Sequence, residues 1–176
     1  MEVLAAELNN QAGFTAANYS AAARYASGAG EHEKAIAWAD QAINAPFFGQ
    51  KNWATMSTKG AVLTAAGKTE EAQAVMDEAI ELPGATTFAI HGYGRQLIGA
   101  GKPDRALEVF KYNHKKNDGA WPTNYGLARG YSAVGNYKQA LKYMELAKAN
   151  VPAGDTVNPP IIDQNIEKLK NGEDIN

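Results

Sequence analysis

Apolar residues recur along this chain every three or four positions, which is the period of an amphipathic α-helix. The pattern is clearest over residues 121–152, where two helical stretches are separated by Gly135. The residues of the apolar faces are Leu127, Ala128 and Tyr131 in the first stretch and Ala140, Met144 and Ala147 in the second. Pro152 ends the second stretch, because proline lacks the amide hydrogen that a helix interior requires. The pattern predicts a pair of antiparallel helices joined by a short turn.

The same two-helix pattern occurs four times. Each copy has a glycine between its helices and an alanine five residues later, and these pairs are Gly30 and Ala35, Gly67 and Ala72, Gly101 and Ala106, and Gly135 and Ala140. The first two glycines are 37 residues apart, and each later pair is 34 residues apart. A glycine at this place ends the first helix in the left-handed conformation. The alanine is small enough to let the two helices of a copy approach closely.

This helix–turn–helix pattern, with a period of about 34 residues, resembles the tetratricopeptide repeat (TPR). With position 1 of the repeat at residues 16, 53, 87 and 121, the small residue of position 8 falls on Ala23, Gly60, Gly94 and Ala128. The resemblance implies an all-α fold, a right-handed α-solenoid of four TPR-like helix pairs over 14–152. The expected repeats are about 16–49, 53–86, 87–120 and 121–154. The sequence also predicts a C-terminal capping helix over 158–171 and a remnant or short helix over 1–13.

Two copies depart from the TPR pattern at single positions. Asn124 occupies position 4 of the last copy, where the family has a large residue, and Lys59 occupies position 7 of the second. Among the aromatic residues, Trp38, Trp53 and Trp121 are expected to fill gaps between helices. The adjacent Phe47 and Phe48, in the loop between the first two copies, are expected to fold back onto the core.

Four short stretches allow a narrower resemblance. They are Gly13–Thr15, Tyr93–Ile98, Gly126–Ala133 and Asn171–Asn176. With them, the chain is similar to the C-terminal repeat region of a family of exported bacterial proteins whose N-terminal β domain has no assigned function. The resemblance implies a longer, exported protein in which Val3–Leu8 joins the two parts. It implies no activity, and the sequence itself carries no signal peptide and leaves the compartment open.

Composition excludes several functional classes. The chain has 176 residues, and its 17 basic and 19 acidic side chains give a net charge of −2. A nucleic-acid-binding domain normally has a basic excess, so no nucleic-acid partner is expected. No stretch approaches the roughly 18 apolar residues that a membrane span needs, so no membrane span is expected either. The oligomeric state is left open.

No catalytic constellation is apparent in the sequence. Cysteine is absent, and the three histidines do not occur in pairs at helical spacing. The stretch Gly67–Thr69 ends like a phosphate-binding loop, but Val62 stands where that loop needs a glycine. The sequence therefore predicts a protein that is not an enzyme, with no cofactor and no metal site.

One surface of the repeats carries recurrent polar residues. In TPR arrays, positions 2, 5, 9 and 12 of each first helix line a concave groove. Position 9 holds an arginine in three of the four copies, and position 5 holds polar or aromatic residues. The residues predicted to form the binding groove are Arg24, His91, Arg95, Tyr125 and Arg129. Arginine favours carboxylates and phosphates, although each arginine has an alternative role in pairing within its own chain or in covering packed alanines.

These observations favour a non-catalytic scaffold whose concave groove binds a protein or peptide, including one with acidic groups. The alternative is a structural module that packs against the N-terminal domain of a longer exported protein. A third interpretation, an enzyme, would need its chemistry from arginine, tyrosine and scattered carboxylates alone.

Overall fold

The structure, a computed structural model, describes residues 2–8 and 14–176, without the side chains of Glu2 and Ala5. Part of the predicted segment 1–13, including Gly13, therefore lies outside the described residues. Within the described residues the fold is all-α, as predicted, with ten helices and no strand. The helices are α1 Glu2–Leu8, α2 Ala16–Gly28, α3 His32–Asn44, α4 Trp53–Ala65, α5 Thr69–Ala79, α6 Thr87–Gly99, α7 Pro103–Lys116, α8 Trp121–Ala133, α9 Tyr137–Asn150 and α10 Asn158–Lys170.

The turns inside the four helix pairs share one hydrogen-bonding pattern. Their glycines, Gly30, Gly67, Gly101 and Gly135, have φ angles of 79°, 75°, 71° and 75°. The amide after each glycine donates to a carbonyl in the last turn of the preceding helix, as from Lys102 to Leu97 at 2.9 Å. This is the Schellman arrangement, which favours glycine because other residues are strained at such φ values. The alanines five residues later are buried, as the sequence predicts.

The chain divides into two compact units, residues 1–85 and 86–176. In the N-terminal unit α2 packs on α3 and α4, and α4 packs on α5. Its core is rich in alanine, and Trp38 and Phe48 pack against it. The lysine at position 7, Lys59, forms an ion pair of 2.6 Å with Asp40 and so replaces an apolar contact with a polar one.

In the C-terminal unit α6, α7, α8, α9 and α10 pack in chain order, and α6 also lies beside α8. Ile162, Ile166 and Leu169 of α10 are buried in a cluster with Ala140 and Met144 of α9. Asn124, which departs from the TPR pattern, has partners for both polar atoms of its buried side chain. Its amide donates to the Gly119 carbonyl at 2.9 Å, and its oxygen contacts His114 Nε2 at 3.1 Å. The division into repeats and a cap stays a prediction.

Phe110 of α7 is fully buried against three glycines of the C-terminal unit. A Cβ atom added at Gly94 would lie 2.6 Å from the Phe110 ring, and additions at Gly126 and Gly130 would lie 2.8 and 2.9 Å from it. These distances are far shorter than ordinary van der Waals contact. The glycines therefore allow α6 and α8 to close around one aromatic ring.

The expectation for the paired phenylalanines is right for one residue and wrong for the other. Phe48 stacks on Tyr19 with ring centroids 4.7 Å apart and meets Phe14 edge-on at 5.3 Å. Phe47 is 96% exposed, so it does not fold back on the core. Adjacent residues in this turn point in different directions, and the space above Tyr19 is already filled by Phe48. Within the described residues, no helix is long and apolar enough to cross a membrane.

Substituting Gly94 and Gly92 with alanine should change stability in opposite directions. Gly94→Ala should destabilise the protein by about 1–2 kcal/mol, because the buried Phe110 ring cannot retreat from Gly126 and Gly130. Gly92 lies on the same helix with nothing within 4 Å of an added Cβ, so Gly92→Ala should stabilise by about 0.5–1 kcal/mol through helix propensity. Urea unfolding of both variants measures the difference, and a stabilised Gly94→Ala would contradict the packing account.

Candidate functional site

Four of the five predicted groove residues lie on α6 and α8, the two adjacent helices of the C-terminal unit. We call the surface formed by Phe88, His91, Arg95, Tyr125 and Arg129 the α6/α8 face. Phe88, His91 and Arg95 follow one another at three- and four-residue intervals on α6, and Tyr125 and Arg129 are one turn apart on α8. The spacing within each helix puts these side chains on a common side.

His91 lies at the centre of this face. Its ring is 5.4 Å from that of Phe110 and 6.1 Å from that of Tyr125, measured between centroids. Its Nδ1 atom is buried against Gly126 and has no hydrogen-bond partner among the described residues. The absence of a Cβ at Gly126 leaves room for the imidazole, since a Cβ there would lie 3.1 Å from Nδ1.

The surroundings of His91 keep the imidazole neutral. Its pKa is lowered from 6.5 to about 4, most strongly by burial and further by the positive charges of Arg129 and Arg95. A hydrogen bond with the backbone carbonyl of Pro122 opposes the shift without reversing it. The two charged groups that shift this pKa, Arg129 and Arg95, are both cationic and disfavour a protonated imidazole.

Arg129 is held by contacts inside the chain. Its guanidinium carbon lies 5.2 Å from the centroid of the Tyr125 ring, and Nη2 donates to the Tyr125 hydroxyl at 3.4 Å. Nη1 donates to the side-chain oxygen of Asn176 at 3.3 Å. The Tyr125 hydroxyl also accepts a hydrogen bond of 2.9 Å from Asn165 of α10. Both α8 residues are thus oriented by α10 and the segment after it.

Arg95 differs from Arg129 in having no such partner. It is exposed, and its side chain makes no hydrogen bond or ion pair with the described residues. Its charge is nevertheless close enough to lower the pKa of His91. An exposed guanidinium keeps all five of its N–H donors available to another molecule.

Arg24 lies in the N-terminal unit and so is not part of the α6/α8 face. It is exposed on α2, and its Nη1 donates to the Thr58 hydroxyl of α4 at 2.8 Å. Thr58 also donates to the carbonyl of Ala54 at 2.9 Å. This intrachain bond matches the alternative role that the sequence leaves open for each arginine.

Several residues that contribute to the candidate site were not predicted from the sequence: Phe88, Ser132, Asn165, Asp174 and Asn176. Phe88 and Ser132 occupy positions 2 and 12 of their repeats, so the groove register contained the information needed to find them. The other three follow the last repeat, where the register gives no guidance. Among the described residues no three histidine or acidic side chains converge as a metal site would require. The face combines two arginines with aromatic neighbours, and the guanidinium is a group suited to carboxylates and phosphates.

Acidification should destabilise the fold through His91. Between its unfolded pKa near 6.5 and its folded pKa of about 4, the unfolded chain binds a proton that the folded protein does not. Stability from this residue is therefore present above pH 6.5 and is lost as the pH falls to 4, by about 3 kcal/mol. Urea unfolding of wild type and His91→Gln across this range isolates the difference, since the carboxylates are common to both. An NMR titration of His91 near pH 6.5 in the folded protein would contradict the account.

No protein-family model matches the sequence, and no curated protein matches it either. Solved structures of TPR proteins do match the fold. A tetratricopeptide repeat protein from Parabacteroides merdae ATCC 43184 has 16% identity and a TM-score of 0.60 over 97% of this chain, which spans 64% of that structure's length. YrrB, described as a TPR protein with an unusual peptide-binding site, has 22% identity and a TM-score of 0.51, covering 79% of this chain and 70% of its own.

The TPR-like repeats of a kinesin light chain from Podosopora anserina have 15% identity and a TM-score of 0.56. That match covers 88% of this chain and 84% of the other. Identities this low establish similarity of fold and not of function. Together with the ten helices and the glycine turns, these matches show that the chain adopts the tetratricopeptide-repeat fold.

Proposed function

We propose that this protein is a non-catalytic scaffold that binds a protein or peptide segment at the α6/α8 face, and that the segment carries carboxylates. The single observation behind this proposal is the exposed Arg95 guanidinium, which has no partner among the described residues and lies near a neutral His91 and the charge of Arg129. Two positive charges without a facing carboxylate favour an anionic ligand.

The proposal is supported by the energetics of arginine–carboxylate contacts. A bidentate pair between a guanidinium and a carboxylate is about twice as strong as a neutral hydrogen bond. At Arg95 the bond would also offset the repulsion between the two arginines. Because Arg95 is exposed, both charges lose water when the pair forms, so the net gain depends on how well the carboxylate matches the geometry of the guanidinium.

Phe88 supplies an apolar contact beside this charge. It is 67% exposed and lies two helical turns before Arg95. Gly92, between them, has no side chain and open space above it. An extended segment therefore has room to lie along α6 with an apolar side chain on Phe88 and a carboxylate on Arg95. The fold is shared with YrrB, a TPR protein described as having a peptide-binding site, which makes a peptide ligand the natural class.

Reversing the charge of Arg95 should abolish most of the binding. Fluorescein-labelled hexapeptide pools of random sequence, one rich in aspartate and glutamate and one rich in lysine, serve as probes. The acidic pool should bind wild type, and Arg95→Glu should weaken that binding by at least about tenfold through loss of a charge-assisted hydrogen bond.

Lys138→Glu is the matched control, because this exposed lysine lies on α9 and away from the face. It changes net charge equally and should alter affinity by no more than about twofold. Fluorescence anisotropy measures both. If both variants lose the same affinity for the acidic pool, the effect is one of net charge, and the assignment of Arg95 to the binding site is wrong. Preferential binding of the lysine-rich pool by wild type would overturn the assignment as well.

A second candidate function is that of a structural module in a longer exported protein, packed against an upstream domain. It is favoured by exposed apolar side chains of the N-terminal unit, since Val3, Phe14 and Phe47 are 72%, 46% and 96% exposed. Covering such residues is a usual role of an interdomain contact.

NMR relaxation of the longer protein tests this candidate. The upstream domain and the repeats should share one rotational correlation time, and Phe47→Ser should loosen their contact and separate the two values. Thr15→Ala, a nearby substitution at an exposed helix cap, is the control and should leave the correlation times coupled. Independent tumbling in the unsubstituted protein would exclude the candidate.

A further inference from the structure

The segment after α10 folds back and binds to α8. Gly172, with φ of 74°, ends α10 in the same Schellman arrangement as the repeat turns, and the Glu173 amide donates to the Lys168 carbonyl at 3.0 Å. In the repeats such a turn starts a second helix. Here the chain has no helical structure from residue 173 onward, and Asp174, Ile175 and Asn176 contact α8 instead.

Ser132 of α8 recognises two groups of this segment at once. Its hydroxyl donates to Asp174 Oδ1 at 2.6 Å and accepts from the Ile175 amide at 3.2 Å. Ser132 is 2% exposed, so its hydroxyl forms both bonds in a site screened from water. One buried side chain, that of Ser132, thus binds both the carboxylate of Asp174 and the backbone amide of the next residue.

Ile175 provides the apolar anchor. It is 6% exposed and belongs to the cluster formed by Ala128, Met144, Ile162 and Leu169. The flanking residues, Asp174 and Asn176, are exposed. The segment thus has one buried side chain between two surface ones, which is how an extended peptide binds to a groove.

Asn176 binds Arg129 in both directions. Its side-chain amide donates to the Arg129 carbonyl at 3.1 Å, and its oxygen accepts from Arg129 Nη1 at 3.3 Å. Asp174 Oδ1 also accepts from the Asn176 side chain at 2.8 Å, so the two polar residues brace each other. A carboxamide at this place satisfies both a donor and an acceptor of α8.

The groove positions of α8 are therefore occupied by the chain itself, whereas Arg95 of α6 is open. We propose that Asp174–Asn176 is an internal ligand, and that the partner displaces it with a segment of the same chemistry: aspartate, a branched aliphatic residue, then asparagine. This inference rests on the proposed function of the α6/α8 face, because the site on α8 that Asp174–Asn176 occupies continues that face. Because Asp174–Asn176 competes with the partner for the same site, only a partner with sufficient affinity would displace it and bind.

The test uses the full chain and a labelled, capped peptide Gly-Glu-Asp-Ile-Asn as the probe. Ile175→Ser should remove the buried anchor of the internal segment and raise the affinity for the probe by at least about tenfold, because a tethered competitor has an effective concentration near the millimolar range. Adding Ser132→Ala to that variant should reverse the gain. Ile161→Ser, at a 44% exposed position of α10, is the control and should leave the affinity at the wild-type value.

In wild type, a saturating amount of probe should move the Ile175 methyl resonance to its random-coil position. Equal affinity of wild type and Ile175→Ser for the probe would overturn the inference.

If Ile175→Ser unfolds, Asp174→Ala is the second variant, because it keeps the buried anchor. It should raise the affinity for the probe by a few-fold, and no increase would overturn the inference equally. The two proposals can fail separately. If the acidic pool binds through Arg95 but Ile175→Ser does not bind the probe more tightly, only the internal ligand is refuted. If Ile175→Ser binds the probe more tightly but Arg95→Glu does not weaken peptide binding, only the α6/α8 proposal is refuted.

Discussion

The contact between Phe110 and three glycines determines how the C-terminal unit is arranged. An aromatic ring in the second helix of a pair fills the space that Gly94, Gly126 and Gly130 leave open on the two first helices. Because interiors are close-packed, even one added methyl group would force the helices apart. The same closeness puts the His91 ring against Gly126 and near Tyr125, so the geometry of the α6/α8 face follows from packing below it.

This packing has an electrostatic consequence. Burying an imidazole beside two arginines keeps it neutral, and no carboxylate in the described part of the chain is among the groups that shift its pKa. Asn165 and Asn176 form hydrogen bonds with Tyr125 and Arg129 of α8, whereas Arg95 is exposed on α6. In the proposed complex, the ligand would contact Arg95 and extend along the face toward Asp174–Asn176.

Much of the fold could be predicted from the sequence, because the information is local and repeated. The left-handed turns favour glycine, and the close helix contacts favour alanine. The sequence alone therefore predicts Gly101 as a turn residue and Ala106 as a buried residue between two helices. The groove register likewise puts Arg95 and Arg129 at the same position of two adjacent first helices, and their role in binding stays a prediction. The direction of Phe47, the bond between Arg24 and Thr58, and the docking of Asp174 depend on contacts between distant residues, and no period in the sequence encodes them.

The proposed function depends on a contact between Arg95 of the α6/α8 face and a carboxylate of a partner segment. The most direct measurement is an NMR titration with an acidic peptide from the binding pool, following the Arg95 Nε–Hε resonance and the His91 ring. The account predicts that the Arg95 resonance shifts in proportion to binding and that the pKa of His91 rises from about 4, because the ligand charge neutralises its surroundings. Binding that leaves both resonances unchanged, while perturbing another surface, would contradict it.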